Sequence, residues 1–143
     1  MKKALIGVDL GTTGCRSVVF DENFNILGEK YIEYPLIKIS HSEIEQDANL
    51  WWELTKQTIR ESICKAGIPA DLIRSISVSS QGIAFVPVDR SCKPLRNAIS
   101  WLDSRAKEQL SNIMVNYTPE QIFKITGKRA SEMYVLPKLL WIK

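Results

Sequence analysis

The chain opens on a short apolar run, Ala4 to Asp9, that stops at Gly11-Thr12-Thr13-Gly14. A second apolar run, Ser17 to Phe20, follows at once and ends at Asp21. Two β-prone runs around a Gly/Thr turn predict a hairpin. The polar turn Asp21-Glu22-Asn23 leads to a third strand over Ile26 to Tyr34, so three antiparallel strands are expected to open the chain. The apolar period then changes. Leu50, Leu54, Ile59, Ile63 and Ala66 form a stripe at helical spacing and predict a helix over Ala48 to Ala66. Asp47 is placed to accept from its first-turn N–H groups, and Gly67 to take the left-handed C-terminal position. Trp51 and Trp52 read as core anchors.

After Pro69, Ile76 to Ser80 is expected to be a fourth strand, with further apolar runs at Ile83 to Val88 and Ala98 to Trp101. The C-terminal third reads as helical. Thr118-Pro119-Glu120-Gln121 is a capping box with proline at the first helical position, and Gly127 ends that helix. The last helix, Tyr134 to Lys143, carries Leu136, Leu139, Leu140 and Ile142 to its end without a C-terminal cap signal. A helix cut off while still apolar implies the amino-terminal piece of a larger protein.

Length and composition narrow the class. At 143 residues the chain is one globular domain's worth, and 45% hydrophobic content excludes disorder. A compact chain of this size buries roughly 68% of its unfolded surface. The net charge of +3 comes without a basic cluster, which speaks against a nucleic-acid partner. No stretch approaches the roughly eighteen apolar residues of a membrane span. Met1-Lys2-Lys3 begins like a signal peptide, but Asp9 ends the apolar run too early, so a cytoplasmic protein is expected. Cys15, Cys64 and Cys92 are odd in number and far apart, which suits reduced thiols. His41, the single histidine, is expected at the surface.

Three segments could carry chemistry. In Asp9-Leu10-Gly11-Thr12-Thr13-Gly14, followed by Arg16, a strand delivers a carboxylate to its tip, where it can hold Mg²⁺ directly or through water. The glycines allow a sharp turn and close approach to a ligand. Turn N–H groups and two threonine hydroxyls suit phosphate oxygens, and Arg16 adds charge. An ordinary hairpin needing Gly and Thr for its turn is the alternative. Ser79-Ser80-Gln81-Gly82 stands at a strand end, where α/β sheets place ligands, or is a polar turn with Gly82 at positive φ. In Trp101-Leu102-Asp103-Ser104-Arg105, extended alternation would put Trp101, Asp103 and Arg105 on one side, facing a polyhydroxy ligand. A buried tryptophan beside an Asp–Arg ion pair is the alternative. The turn at Gly11 is neither a Walker loop nor a dinucleotide fingerprint, because the glycine spacing and the Gly-Lys-Ser/Thr ending are wrong.

In this order the segments resemble the amino-terminal region of the FGGY family of carbohydrate kinases. That family opens with Asp-x-Gly-Thr-Thr/Ser, a basic residue and a hydrophobic strand ending in Asp, which Asp9 to Asp21 fits. A Ser-x-x-Gly-type turn, Ser79 to Gly82, and a Trp-x-Asp-x-Arg element, Trp101 to Arg105, follow in the same order. Leu136-Pro137-Lys138-Leu139-Leu140-Trp141 is similar to a segment of xylulose-kinase-like members.

The resemblance implies an α/β fold of ribonuclease-H-like, actin-like ATPase type, a mixed sheet flanked by helices and here truncated. The whole of residues 1–143 would be the amino-terminal part of the first kinase domain. It implies ATP and Mg²⁺ as cofactors, with Asp9, Gly11, Thr12, Thr13 and Arg16 near the transferred phosphate and Asp9 toward the metal. It places the sugar against Gln81, Gly82, Trp101, Asp103 and Arg105. The general base and the adenine-binding domain would lie beyond Lys143, so the chain alone is expected to be inactive. A small sugar or polyol is the implied partner, with neither nucleic acid nor membrane, and a homodimer of the full-length protein is allowed. Xylulose kinases usually have Met-His-Gly where this chain has Ser80-Gln81-Gly82, and glycerol kinases have Arg-Glu nearby, so a ketose and a short polyol both stay open.

Two other classes compete. One is a non-catalytic actin-like module that senses sugar or nucleotide. The other is a metal-dependent nuclease using Asp9 with Glu45 and Asp47, which the weak charge balance disfavours.

Overall fold

A computed structural model describes residues 3–143 of the chain; Met1 and Lys2, the signal-like start, lie outside the described residues. The length suits one domain, but the chain forms two compact units. The first comprises the chain up to Leu36 together with Asp47–Gln81, and the second Ile37–Gln46 together with Gly82–Lys143.

In the first unit, β1 (Ala4–Leu10), β2 (Gly14–Asp21) and β3 (Ile26–Glu33) form the expected antiparallel opening. Helix α1 (Ala48–Ala66) crosses one face and returns the chain to β6 (Ile73–Ser80), parallel to β1. The sheet order is β3-β2-β1-β6, a mixed sheet. Asp47 caps α1 by accepting from the N–H groups of Asn49 and Leu50, and Gly67 closes it at φ 63°. Ala4, Ile6, Val8, Cys15, Val19 and Tyr34 are the buried core, and Leu50, Trp51, Leu54, Ile59, Ile63 and Ala66 pack against it. The hydroxyl-bearing Thr58 and Ser62 are buried on the helix's sheet side, where Thr58 Oγ1 lies 2.8 Å from Ser17 Oγ. Gly28 lets the helix come this close: a Cβ there would sit 2.5 Å from the Ala66 nitrogen and the Ser62 carbonyl oxygen.

Trp52 departs from its expected role. It is 62% exposed and lies under the Lys56 ammonium, because one residue past Trp51 is about 100° around the helix from the buried stripe.

In the second unit, β4 (Ile37–Lys38), β5 (Ile44–Gln46) and β7 (Ala98–Ile99) make a small antiparallel sheet. Three helices follow: α2 (Lys107–Met114), α3 (Pro119–Thr126) and α4 (Val135–Ile142). The capping box of α3 forms as its sequence predicts, and Gly127 ends it at φ 68°. The run Ile83 to Val88 is not a strand. It makes isolated bridges only, Phe85 to Ile99 and Val88 to Pro94, and Pro87 lacks the N–H a ladder needs. No helix among the described residues is long and apolar enough to cross a membrane.

Candidate functional site

In the first unit the Asp9 turn stands at the tip of the β1–β2 hairpin. Ala4, Ile6 and Val8 point into the core, so strict alternation sends Asp9 to the opposite face of the sheet, where it is exposed. Its neighbours there follow from register: Arg16 on β2 is directly opposite and Ser79 on β6 is alongside. Asp9, Arg16, Ser77 and Ser79 line an open cavity of about 280 Å³ floored by Gly7, Val18 and Phe20. Arg16 lies over the Tyr31 ring, 5.4 Å from its centroid, and 3.9 Å from the Glu29 carboxylate. Gln81 is brought to the same place, since its N–H donates to the Leu10 carbonyl at 2.8 Å.

The turn itself is closed by the Gly11 N–H donating to the Gly14 carbonyl at 2.9 Å. Neither glycine is there for positive φ, which among the described glycines is confined to Gly67 and Gly127. Gly14 is required by its own strand neighbour: a Cβ would meet the Ile32 carbonyl and the Tyr31 ring at 2.6 Å. Tyr34 tethers the turn from beneath. Its N–H donates to the Thr13 carbonyl at 3.1 Å, and its hydroxyl donates to the Gly11 carbonyl. Burial, with the neighbouring Cys15, Asp9 and Tyr31, holds that phenol well above its ordinary pKa, so it stays protonated as a donor. By sequence Tyr34 reads as the end of the third strand. Alternation along β3 could have turned its side chain inward, but nothing local in the sequence names Gly11 as its partner.

The donor set suits a magnesium nucleotide. The turn presents one exposed carboxylate, and no group of three or more His, Cys, Asp and Glu forms a metal cage among the described residues. Magnesium keeps several waters and is commonly held by one or two carboxylates plus substrate phosphates. Asp9 would supply that carboxylate; Arg16 lies opposite it, and Gly11, Thr12 and Thr13 follow it in the turn with their amides and hydroxyls.

In the second unit Trp101 to Arg105 is a turn, not the extended segment expected. The Asp103 N–H donates to the Ser100 carbonyl at 3.2 Å, and Asp103 Oδ1 accepts from the Arg105 N–H at 3.0 Å. An Asp side chain bonding the backbone two residues on bends the chain locally and overrides extended alternation. Asp103 is fully buried. Its Oδ2 also accepts from the Ile44 N–H at 2.7 Å and from Arg105 Nε at 2.8 Å. Arg105, with its side chain only 2% exposed, continues to Glu45 Oε1 at 2.9 Å, where Arg96 also arrives at 2.6 Å. Both guanidiniums lie on the Trp141 ring of α4, 5.0 and 4.7 Å from its centroid. Burial alone would lower the Arg105 pKa, but the hydrogen bonds and charges of Asp103 and Glu45 carry it above its ordinary value.

The Asp–Arg alternative of a buried ion pair is therefore the observed one. Asp103 and Arg105 are engaged with each other and shape the turn that carries the half-buried Trp101. Gly82 is exposed with open space at its Cβ position, and the positive φ expected there falls instead on Ile83, at 69°. Glu45 is consumed by two arginines and Asp47 by the cap of α1, which removes the carboxylates a nuclease reading needs. His41 is exposed, as expected, and Cys15, Cys64 and Cys92 are free thiols.

Comparison with known proteins gives these geometries a family. Residues 4–143 match the amino-terminal domain of the FGGY family of carbohydrate kinases. The chain is 32% identical to a xylulose kinase of Bacillus subtilis over 141 residues and 32% identical to a glycerol kinase of Thermococcus onnurineus over 142 residues. It covers 99% of itself in both pairings, but only 28% and 29% of those proteins, so it spans under a third of their length. A gluconate kinase crystal structure from Lactobacillus acidophilus superposes with a TM-score of 0.89 at 30% identity, over 99% of this chain and 28% of that one. The expected actin-like ATPase fold is thus the observed one, represented by its amino-terminal part. With its Asp9 turn, its mixed sheet and nearly all of its length in register with that domain, the chain belongs to the FGGY family of carbohydrate kinases.

Proposed function

We propose that the full-length protein is an ATP-dependent kinase that transfers the γ-phosphate to a hydroxyl of a ketose such as xylulose, or of a related sugar or polyol. The observation that carries the reading is the exposed Asp9 carboxylate at a strand tip, opposite Arg16 and beside Ser79, in a chain of this family. Phosphoryl transfer asks a protein chiefly for positioning and for charge stabilisation. When bound, the magnesium nucleotide supplies the transferable phosphoryl group. Asp9 would hold the metal, and the amides and hydroxyls of Gly11, Thr12 and Thr13 together with Arg16 would hold phosphate oxygens.

Sugar contacts are proposed for Gln81 at the end of the first unit's β6 and, separately, for Gly82 and Trp101 of the second unit. Asp103 and Arg105 act through the turn they build, since their polar groups are engaged with each other, with the Ile44 N–H and with Glu45. We place the general base and the adenine site in the share of the relatives' length that residues 1–143 do not cover, and expect these residues alone to be inactive. The protein would work in the cytoplasm. Dimerisation of the full-length form is an expectation that sedimentation of that form tests.

The test is ADP release from the full-length protein in Mg-ATP across a panel of ketoses and polyols. Turnover with one sugar class is expected. A folded protein that binds a sugar or nucleotide and turns over none of the panel would be the non-catalytic module instead.

A further inference from the structure

We infer that Tyr34 is a positioning residue for phosphoryl transfer, a tether that fixes the direction of the Gly11–Thr12 peptide in the phosphate turn. The inference rests on the kinase reading above and extends it to a residue outside the family motif.

Three observations carry it. Tyr34 is 6% exposed and belongs to the hydrophobic core of the first unit, so its ring is fixed by packing and not by the turn. From that fixed position it bonds two carbonyls of one four-residue turn, Gly11 through the hydroxyl and Thr13 through its own N–H. The turn also closes on itself through Gly11 N–H to Gly14 carbonyl, so its first and third carbonyls point to Tyr34 while its ends stay together.

The chemical consequence follows from peptide planarity. In a trans peptide the C=O and the next N–H point in opposite directions. Holding the Gly11 carbonyl toward the core therefore turns the Thr12 N–H away from it. A donor aimed before the substrate arrives costs no reorganisation when negative charge develops on a phosphate oxygen, which is where fixed amides contribute most. Without the phenol hydroxyl, the Gly11–Thr12 peptide could rotate, because glycine restrains its own φ and ψ least of all residues. Packing alone would be served by phenylalanine, so the hydroxyl is the part of Tyr34 that the core does not need.

Tyr34→Phe in the full-length protein tests this, with amide hydrogen exchange of the Asp9–Arg16 peptide beside steady-state kinetics. The tether predicts faster exchange across Gly11–Gly14, a melting temperature within a few degrees of wild type, kcat lowered roughly tenfold and an unchanged KM for the sugar. A general loss of packing would instead lower the melting temperature and spread the faster exchange through the β1–β3 sheet, and that outcome would overturn the positioning role. So would wild-type exchange, or faster exchange with unchanged kcat. If wild type phosphorylates no sugar of the panel, the kinase reading fails by itself, and exchange alone decides the tether: lost protection at Gly11–Gly14 supports it and retained protection overturns it.

Discussion

Lys138, fully buried on α4, donates through Nζ to the carbonyl of Ser100 at 2.7 Å. The same carbonyl accepts the Asp103 N–H at 3.2 Å, so one oxygen joins the last helix to the turn that carries Trp101. With Trp141 under Arg96 and Arg105, α4 supports that turn at two points. The Leu136 to Trp141 segment, which by sequence reads as a helix apolar to its last residues, serves here as a buttress.

The buried ammonium makes stability depend on alkaline pH. Burial lowers the Lys138 pKa from 10.5 to about 8, with Asp103 and Glu132 opposing and Arg105 adding to the fall. Between about pH 8 and 10.5 the unfolded chain therefore keeps a proton that the folded chain releases, so stability rises with pH across that window. Lys138→Met should abolish the rise, read as the pH dependence of the urea midpoint. Equal slopes in variant and wild type would remove Lys138 as its source. Above about pH 10 the raised phenol of Tyr34 acts with the opposite sign, since the unfolded tyrosine ionises first.

Asp9→Ala in the full-length protein should lower turnover at least about a hundredfold and leave the melting temperature nearly unchanged. The carboxylate is exposed, and the core lies on the other face of β1. Near-normal turnover would sink the role given to Asp9.

Asp103→Ala should do the reverse and act first on folding. It leaves Arg105 buried against Glu45 with one partner gone, and removing one member of a buried pair costs about 3–5 kcal/mol. Chemical denaturation of the purified variant measures this, and a loss below about 1 kcal/mol would show that Asp103 is not what holds Arg105 in place.

Gly28→Ala should destabilise by roughly 1–3 kcal/mol, because its Cβ would force α1 away from β3. Gly82→Ala, with open space around the new methyl, should leave the denaturation midpoint close to wild type. The pair separates glycine needed for close packing from glycine that is not.

Much of this was legible in the chain because it is local. The ends of α1 are written in Asp47 and Gly67, and the box of α3 in Thr118 and Gln121, since capping bonds span only a few residues. The apolar runs around Gly11 and Gly14 announce the hairpin, and Asp9 its tip. The elements that escaped notice have weak local signals. Strand β4 has two residues and exists only through pairing with β5, and α2 follows its N-cap Ala106 without a side-chain capping bond.

What the sequence determined by itself was the opening strands, the helix caps and the composition of the Gly11–Gly14 turn, all set by neighbours within a few residues. Tertiary structure decided the partners. It gave Asp103 to Arg105 and Ile44 and Glu45 to Arg96 and Arg105, and it set Tyr34 against Gly11. Each of those pairings but one joins residues distant in the chain, and burial makes them obligatory, because a polar group removed from water must find its partner wherever the fold brings one.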